Sequence, residues 1–146
     1  MRVAVFILLL AVALGYSVWR GGGPERTMAG IAFGMVASDQ LLHLFVPPDY
    51  LSTDLGHLAI DLAGASATFT LALFAYRFWP MFAAVLHILP LLAHTSRTLD
   101  VSMDPAAYMI MQVAPSWAVP LLLIAATWQH RTRLGRSGSD PSWRSF

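Results

Sequence analysis

The sequence predicts an all-α membrane protein, a bundle of five transmembrane helices with short loops and an N-out/C-in topology. Three observations carry this reading. Hydrophobic residues make up 57% of the 146-residue chain and charged residues 12%, about half the charge of an ordinary soluble domain. The apolar residues gather into five stretches, each long enough to cross a hydrocarbon core of about 30 Å. The arginines also divide unevenly between the two sides that these stretches define.

The spans follow in order. The first covers 3–19 and ends at Arg20-Gly-Gly-Gly-Pro-Glu-Arg26, a polar turn rich in helix breakers that reads as flexible. The second covers 27–46 and stops at Pro47-Pro48; the third covers 55–76. After Arg77-Phe-Trp-Pro80 the fourth covers 80–96, with the proline suited to a first helical turn. The fifth covers 107–128. Residues 1–130 thus read as one transmembrane domain, and 131–146 as a short, basic, mobile cytoplasmic tail. The first span also fits a cleaved signal peptide, with Ala13-Leu-Gly15 as the small-residue cleavage site.

Five spans put the N-terminus and the 47–54 and 97–106 loops on one side, where the basic residues are Arg2 and Arg97. The other side holds Arg20, Arg26, Arg77, Arg131, Arg133, Arg136 and Arg144, which by the positive-inside rule makes it cytoplasmic. Asp49, Asp54, Asp100 and Asp104 sit on the outer side. Tyr16, Trp19, Tyr76, Trp79 and Trp128 form an expected inner aromatic belt, with Tyr50 and Tyr108 at the outer edge. All nine basic residues are arginine, a sign of high-GC coding, and the chain has the look of small multi-span inner-membrane proteins of high-GC bacteria.

Composition excludes several classes of function. A net charge of +1 offers no basic surface for a phosphate backbone, so nucleic acid is no partner. Without cysteine there are no disulfides, thiolate metal sites or iron–sulfur clusters. No nucleophile triad, phosphate-cradling loop or metalloprotease helix is present.

Of the nine basic and eight acidic residues, Asp39 and Asp61 are the two expected inside the bilayer. Ionisable groups there are costly and mark sites by default. Asp39 and His43 are four residues apart, as are His57 and Asp61, so each pair shares a helix face. At about 1.5 Å per residue, both pairs, His94 and Gln112 fall in the outer third of the membrane, with His87 near its middle. The face of His57 and Asp61 continues through Gly64, Ala65, Thr68 and Ala72, while Leu55, Leu58, Leu62, Phe69 and Leu73 face lipid. Gly30-x-x-x-Gly34 offers a second packing face on span two.

Several readings of this cluster stand side by side. Imidazoles and carboxylates suit copper, zinc or iron, with Asp39, His43 and His57 as first ligands, Asp61 and His94 next, and His87 and Gln112 in support. Asp39-x-x-x-His43 followed by His57 resembles in spacing the copper-binding Asp/His/His arrangement of the C subunit of particulate methane monooxygenases. The likeness covers three of the 146 residues, and no activity is carried over from it. A single b-type haem, held by two of His43, His57, His87 and His94 with Arg97 near a propionate, is a second reading. The third is structural: the pairs tie helices together or seat the chain in a larger respiratory, photosynthetic or transport complex or a homo-oligomer. A proton or ion path would need ionisable groups in the inner half, and none is expected there. Pro90, Pro115 and Pro120 read as packing kinks, and Met109 and Met111 as packing or lipid contacts.

Overall fold

The computed structural model describes residues 1–45, 55–99 and 104–145. Pro47, Pro48, Asp49, Tyr50, Asp54 and Asp100 lie outside the described residues. Five helices account for nearly all of the rest: α1 (Arg2–Arg20), α2 (Gly23–Phe45), α3 (Leu55–Phe74), α4 (Trp79–Leu99) and α5 (Pro105–Ser137). All five are long and apolar enough to cross a membrane.

Local chemistry sets their ends. Asp104 caps α5, its carboxylate accepting from the N–H groups of Ala106 and Ala107 at 2.9 and 3.1 Å, with a proline in the first turn. The same helix closes on Gly138, whose φ of 71° is the left-handed conformation that glycine adopts without a Cβ penalty. Pro90 in α4 and Pro115 and Pro120 in α5 lie inside continuous helices.

Each helix packs against the next, and α5 returns to α1, so the five form a closed ring; α2 also touches α5 across it. The core is rich in alanine. Ala13, Ala29, Ala75, Ala83 and Ala126 are buried around Met28, Leu71 and Leu123, and small side chains let helix backbones approach closely. Large apolar side chains such as Leu8, Phe33, Leu62, Phe69 and Phe82 point outward instead. So wide an apolar exterior suits lipid and not water. On α3 the division largely follows the expected faces: Gly64, Ala65, Thr68 and Ala72 are buried, and Leu55, Leu62, Phe69 and Leu73 are exposed, but Leu58 is half-buried. The Gly30/Gly34 face differs from expectation, because a Cβ added at either glycine would meet nothing within 4 Å. The close α2–α3 approach lies at Gly64, where the Met35 side chain occupies the space a Cβ would need.

At the end of the bundle where α1 gives way to α2, polar groups are buried that the sequence suggested would lie in loops and tail. Glu25 accepts from Trp79 Nε1 at 3.0 Å and from the Gly22 N–H at 3.1 Å, and it faces Arg77 Nε at 3.6 Å. Arg77 pairs with Asp140 at 2.7 Å and donates to the Pro141 carbonyl. Asp140 also meets His130 Nδ1 at 2.7 Å and Arg133 Nε at 3.1 Å.

Three expectations change with this network. Residues 131–145 do not lie apart as a separate tail. α5 runs on to Ser137, and the segment beyond it pairs its backbone with residues 74–76 through Tyr76 N–H to Ser142 O and Arg144 N–H to Phe74 O. The buried charge of Arg77 is the physical reason, since it requires Asp140 beside it. Nor is the glycine turn an open hinge. A Cβ on Gly23 would stand 2.8 Å from the Trp143 ring, and one on Gly22 would stand 3.0 Å from His130. Finally, Trp79 and Tyr108 are buried and bonded to Glu25 and His94, whereas Trp19, Tyr76 and Trp128 are exposed as a belt requires.

Candidate metal centre

At the opposite end, the packing of α2 against α3 brings Asp39, His43 and His57 together. Asp39 and His43 sit one turn apart on α2, and α3 runs back antiparallel to supply His57. Asp39 Oδ1 lies 3.0 Å from His57 Nε2 and 3.7 Å from His43 Nε2. The two imidazole centroids are 4.9 Å apart, and one ligand atom from each of the three residues lies within 4.8 Å of the other two. A tetrahedral ion bound at 2.0–2.1 Å would hold its ligand atoms about 3.3 Å from one another, so only small side-chain movements separate this arrangement from a coordination sphere. Gln40 donates from Nε2 to Asp39 Oδ2 at 3.3 Å, which leaves Oδ1 aimed at the imidazoles. Gln40 is a residue that spacing alone did not single out.

The triad is accessible. Side-chain exposure is 34% for Asp39, 27% for His43 and 19% for His57. Beside it lies a cavity of about 270 Å³, walled by Phe6 from α1, Met35 and Val36 from α2, Asp61 from α3, and Gln112 and Ser116 from α5. Among the described residues, this triad is the group of histidines and acids with metal-holding geometry.

The remaining candidates lie elsewhere. Asp61 lines the cavity but bonds across to α4, where His94 Nε2 meets its Oδ2 at 3.1 Å. Asp39 thus keeps its expected contact with His43 one turn away and adds a closer one to His57 on the next helix, while Asp61 reaches across to His94. His94 is held at both ring nitrogens, with the Tyr108 hydroxyl 2.7 Å from Nδ1 and the Gln112 amide 2.9 Å from Nε2. Ligation by His94 to a metal or a haem iron would break one of these contacts. His87 is farther along α4, and a second, smaller cavity of about 90 Å³ joins its surroundings to Asp61 and Gln112. Thr68 Oγ1 donates to the Gly64 carbonyl at 2.8 Å and is hydrogen-bonded with His87 Nδ1 at 2.7 Å. Arg97 is buried against the Tyr108 ring, 5.9 Å from its centroid.

Two imidazoles and one carboxylate form a hard-to-borderline donor set with room for further ligands. Such a set takes zinc, iron(II) or copper(II) and leaves at least one position for water or another donor. Compared with known proteins, the chain matches no family model, no curated protein and no solved structure.

Proposed function

We propose that this chain is a multi-pass protein of the bacterial inner membrane that binds one divalent transition-metal ion through Asp39, His43 and His57. The observation that supports it best is the meeting of these three side chains across the α2–α3 interface, with their ligand atoms within 4.8 Å. An i, i+4 pair can arise on any helix by chance. A third ligand delivered from a neighbouring helix to the same point needs the packing to be right. The triad itself offers only nitrogen and oxygen donors, which favours zinc, copper(II) or iron(II) over copper(I). Asp61 and Gln112 line the adjoining cavity, His94 contacts both of them, and all three are assigned a supporting role. The distribution of arginines supports a periplasmic position for the triad and a cytoplasmic C-terminus.

Elemental analysis of protein purified in mild detergent tests the proposal, with an absorption spectrum on the same sample. About one metal ion per chain and no Soret band is the expected result. Substituting His43→Ala or His57→Ala should remove the metal while the bundle stays monodisperse. Metal-free wild type that also fails to take up added zinc, copper or iron would overturn it.

A further inference from the structure

The cavity beside the triad shares Phe6, Val113 and Ser116 with a second space, a groove of about 640 Å³ between α1 and α5. That groove is walled by Val3, Met109, Ile110, Ala114 and Trp117 as well, and Ser116 is its one hydroxyl-bearing side chain. Phe6 and Trp117 stack at a tilt across it, with ring centroids 5.1 Å apart. The groove lies on the outer surface, where Val3, Met109, Ile110 and Val113 are exposed. A polar chamber therefore adjoins an apolar trough, and the two share part of one wall.

We infer that the site binds an amphipathic small molecule from the bilayer, its donor-bearing head in the triad chamber and its hydrocarbon tail in the α1–α5 groove. The inference rests on the triad being a metal centre, because the head's donor atom completes the coordination sphere. Three points of chemistry support this class of ligand. The chamber carries polar groups of both kinds, the Gln112 amide and the Asp61 carboxylate, next to the ligand set. A head of one aromatic ring fits 270 Å³, and both spaces fall within the size of ordinary small-molecule sites, about 300–1,000 Å³ when taken together. A wholly polar ligand would leave the trough without a role, and a wholly apolar one would leave the Asp61 carboxylate facing hydrocarbon. Lipid tails are as apolar as the groove, so the groove selects by orientation: it guides the head toward the metal.

Cobalt(II) provides the test, because its visible bands report a change in its ligands. Wild-type protein in mild detergent is loaded with cobalt(II), and uptake is measured by equilibrium dialysis. It is then titrated with 1-decylimidazole and, separately, with 1-methylimidazole, which carries the same donor without the tail. The same titrations are run on Ala114→Trp, which fills the groove from an exposed position outside the lining of the triad chamber, and on Met109→Trp in case the first variant folds poorly. The expected result is that decylimidazole shifts the cobalt bands at least tenfold less effectively in the variants, while methylimidazole acts equally on all. Equal decylimidazole affinity in wild type and variants, or no spectral response to either probe, overturns the inference and leaves the metal centre standing. Failure of the wild type to take up cobalt overturns both together.

Discussion

At one end of the bundle Asp39, His43 and His57 keep between 19% and 34% of their side-chain surface exposed; at the other, Glu25, Arg77 and Asp140 keep between 0% and 6%. Both groups join residues distant in sequence, and both mix carboxylates with basic side chains. Their arrangements differ in purpose. In the buried network each carboxylate receives several donors: Glu25 from Trp79 and Gly22, and Asp140 from Arg77, His130 and Arg133. That is how a charged cluster is made tolerable away from water. In the open cluster one carboxylate oxygen faces two imidazoles beside a cavity, an arrangement that gains a great deal from a cation and needs little rearrangement to accept one. The lesson is that burial and donor count separate a structural ion network from a binding site when residue types do not.

The largest effect should come from breaking the buried network. Arg77→Ala removes the cation between two buried carboxylates, and breaking such a pair costs about 3–5 kcal/mol. The variant should unfold about 10–20 °C earlier in detergent, or fail to accumulate, when followed by thermal denaturation. Second in size is the open cluster. Asp39→Asn should lower metal affinity by more than about 100-fold, beyond the usual cost of losing a supporting residue, and leave the melting temperature of the metal-free protein almost unchanged. A comparable loss of stability in both variants would erase the distinction between the two ends.

Smaller effects sharpen it. Wild-type protein at a metal concentration 100 times the dissociation constant should gain about 2.7 kcal/mol of stability, and Asp39→Asn should gain none; paired melting curves with and without metal read this directly. Gly23→Ala places a Cβ 2.8 Å from the Trp143 ring, so the indole must shift. We expect about 1 kcal/mol of destabilisation and a changed Trp143 environment, visible in fluorescence against a Trp143→Phe control. Gly30→Ala is the smallest. With no neighbour within 4 Å, alanine should be neutral or stabilise α2 by up to about 1 kcal/mol. Destabilisation instead, with loss of an oligomer on a sizing column, would mean that this face packs against another helix.

The helices were legible in the sequence because their physical cause is local. An apolar run bounded by Pro47-Pro48, by glycines or by charges announces itself without knowledge of its neighbours. The triad was legible for a related reason: Asp39 and His43 are four residues apart, and His57 follows at the start of the next antiparallel span. What was illegible is non-local. Glu25, Arg77 and Asp140 occupy loops and tail in the sequence, where charges are ordinary, and no spacing links residues 63 positions apart. Only the packing of α4 and α5 reveals that they meet. Trp79 and Tyr108 were misplaced for the same cause, since an aromatic at a span end fits an interfacial belt until a buried hydrogen-bond partner is found for it. The choice of partners for Asp61 was equally hidden, because a four-residue spacing to His57 competes with a contact to His94 that exists only across α3 and α4.

The distance along the chain between Arg77 and Asp140 also bears on the order of assembly. During synthesis α1 to α4 are made before Asp140 exists, and Glu25 is the one acidic partner of Arg77 then available from the buried network. α5 and the segment after it therefore act as the closing step, because they bring the carboxylate that neutralises this end of the ring. Until then Arg77 lacks its second counter-charge. The triad at the opposite end draws its three side chains from α2 and α3 alone, so its residues are all made before that closing step begins.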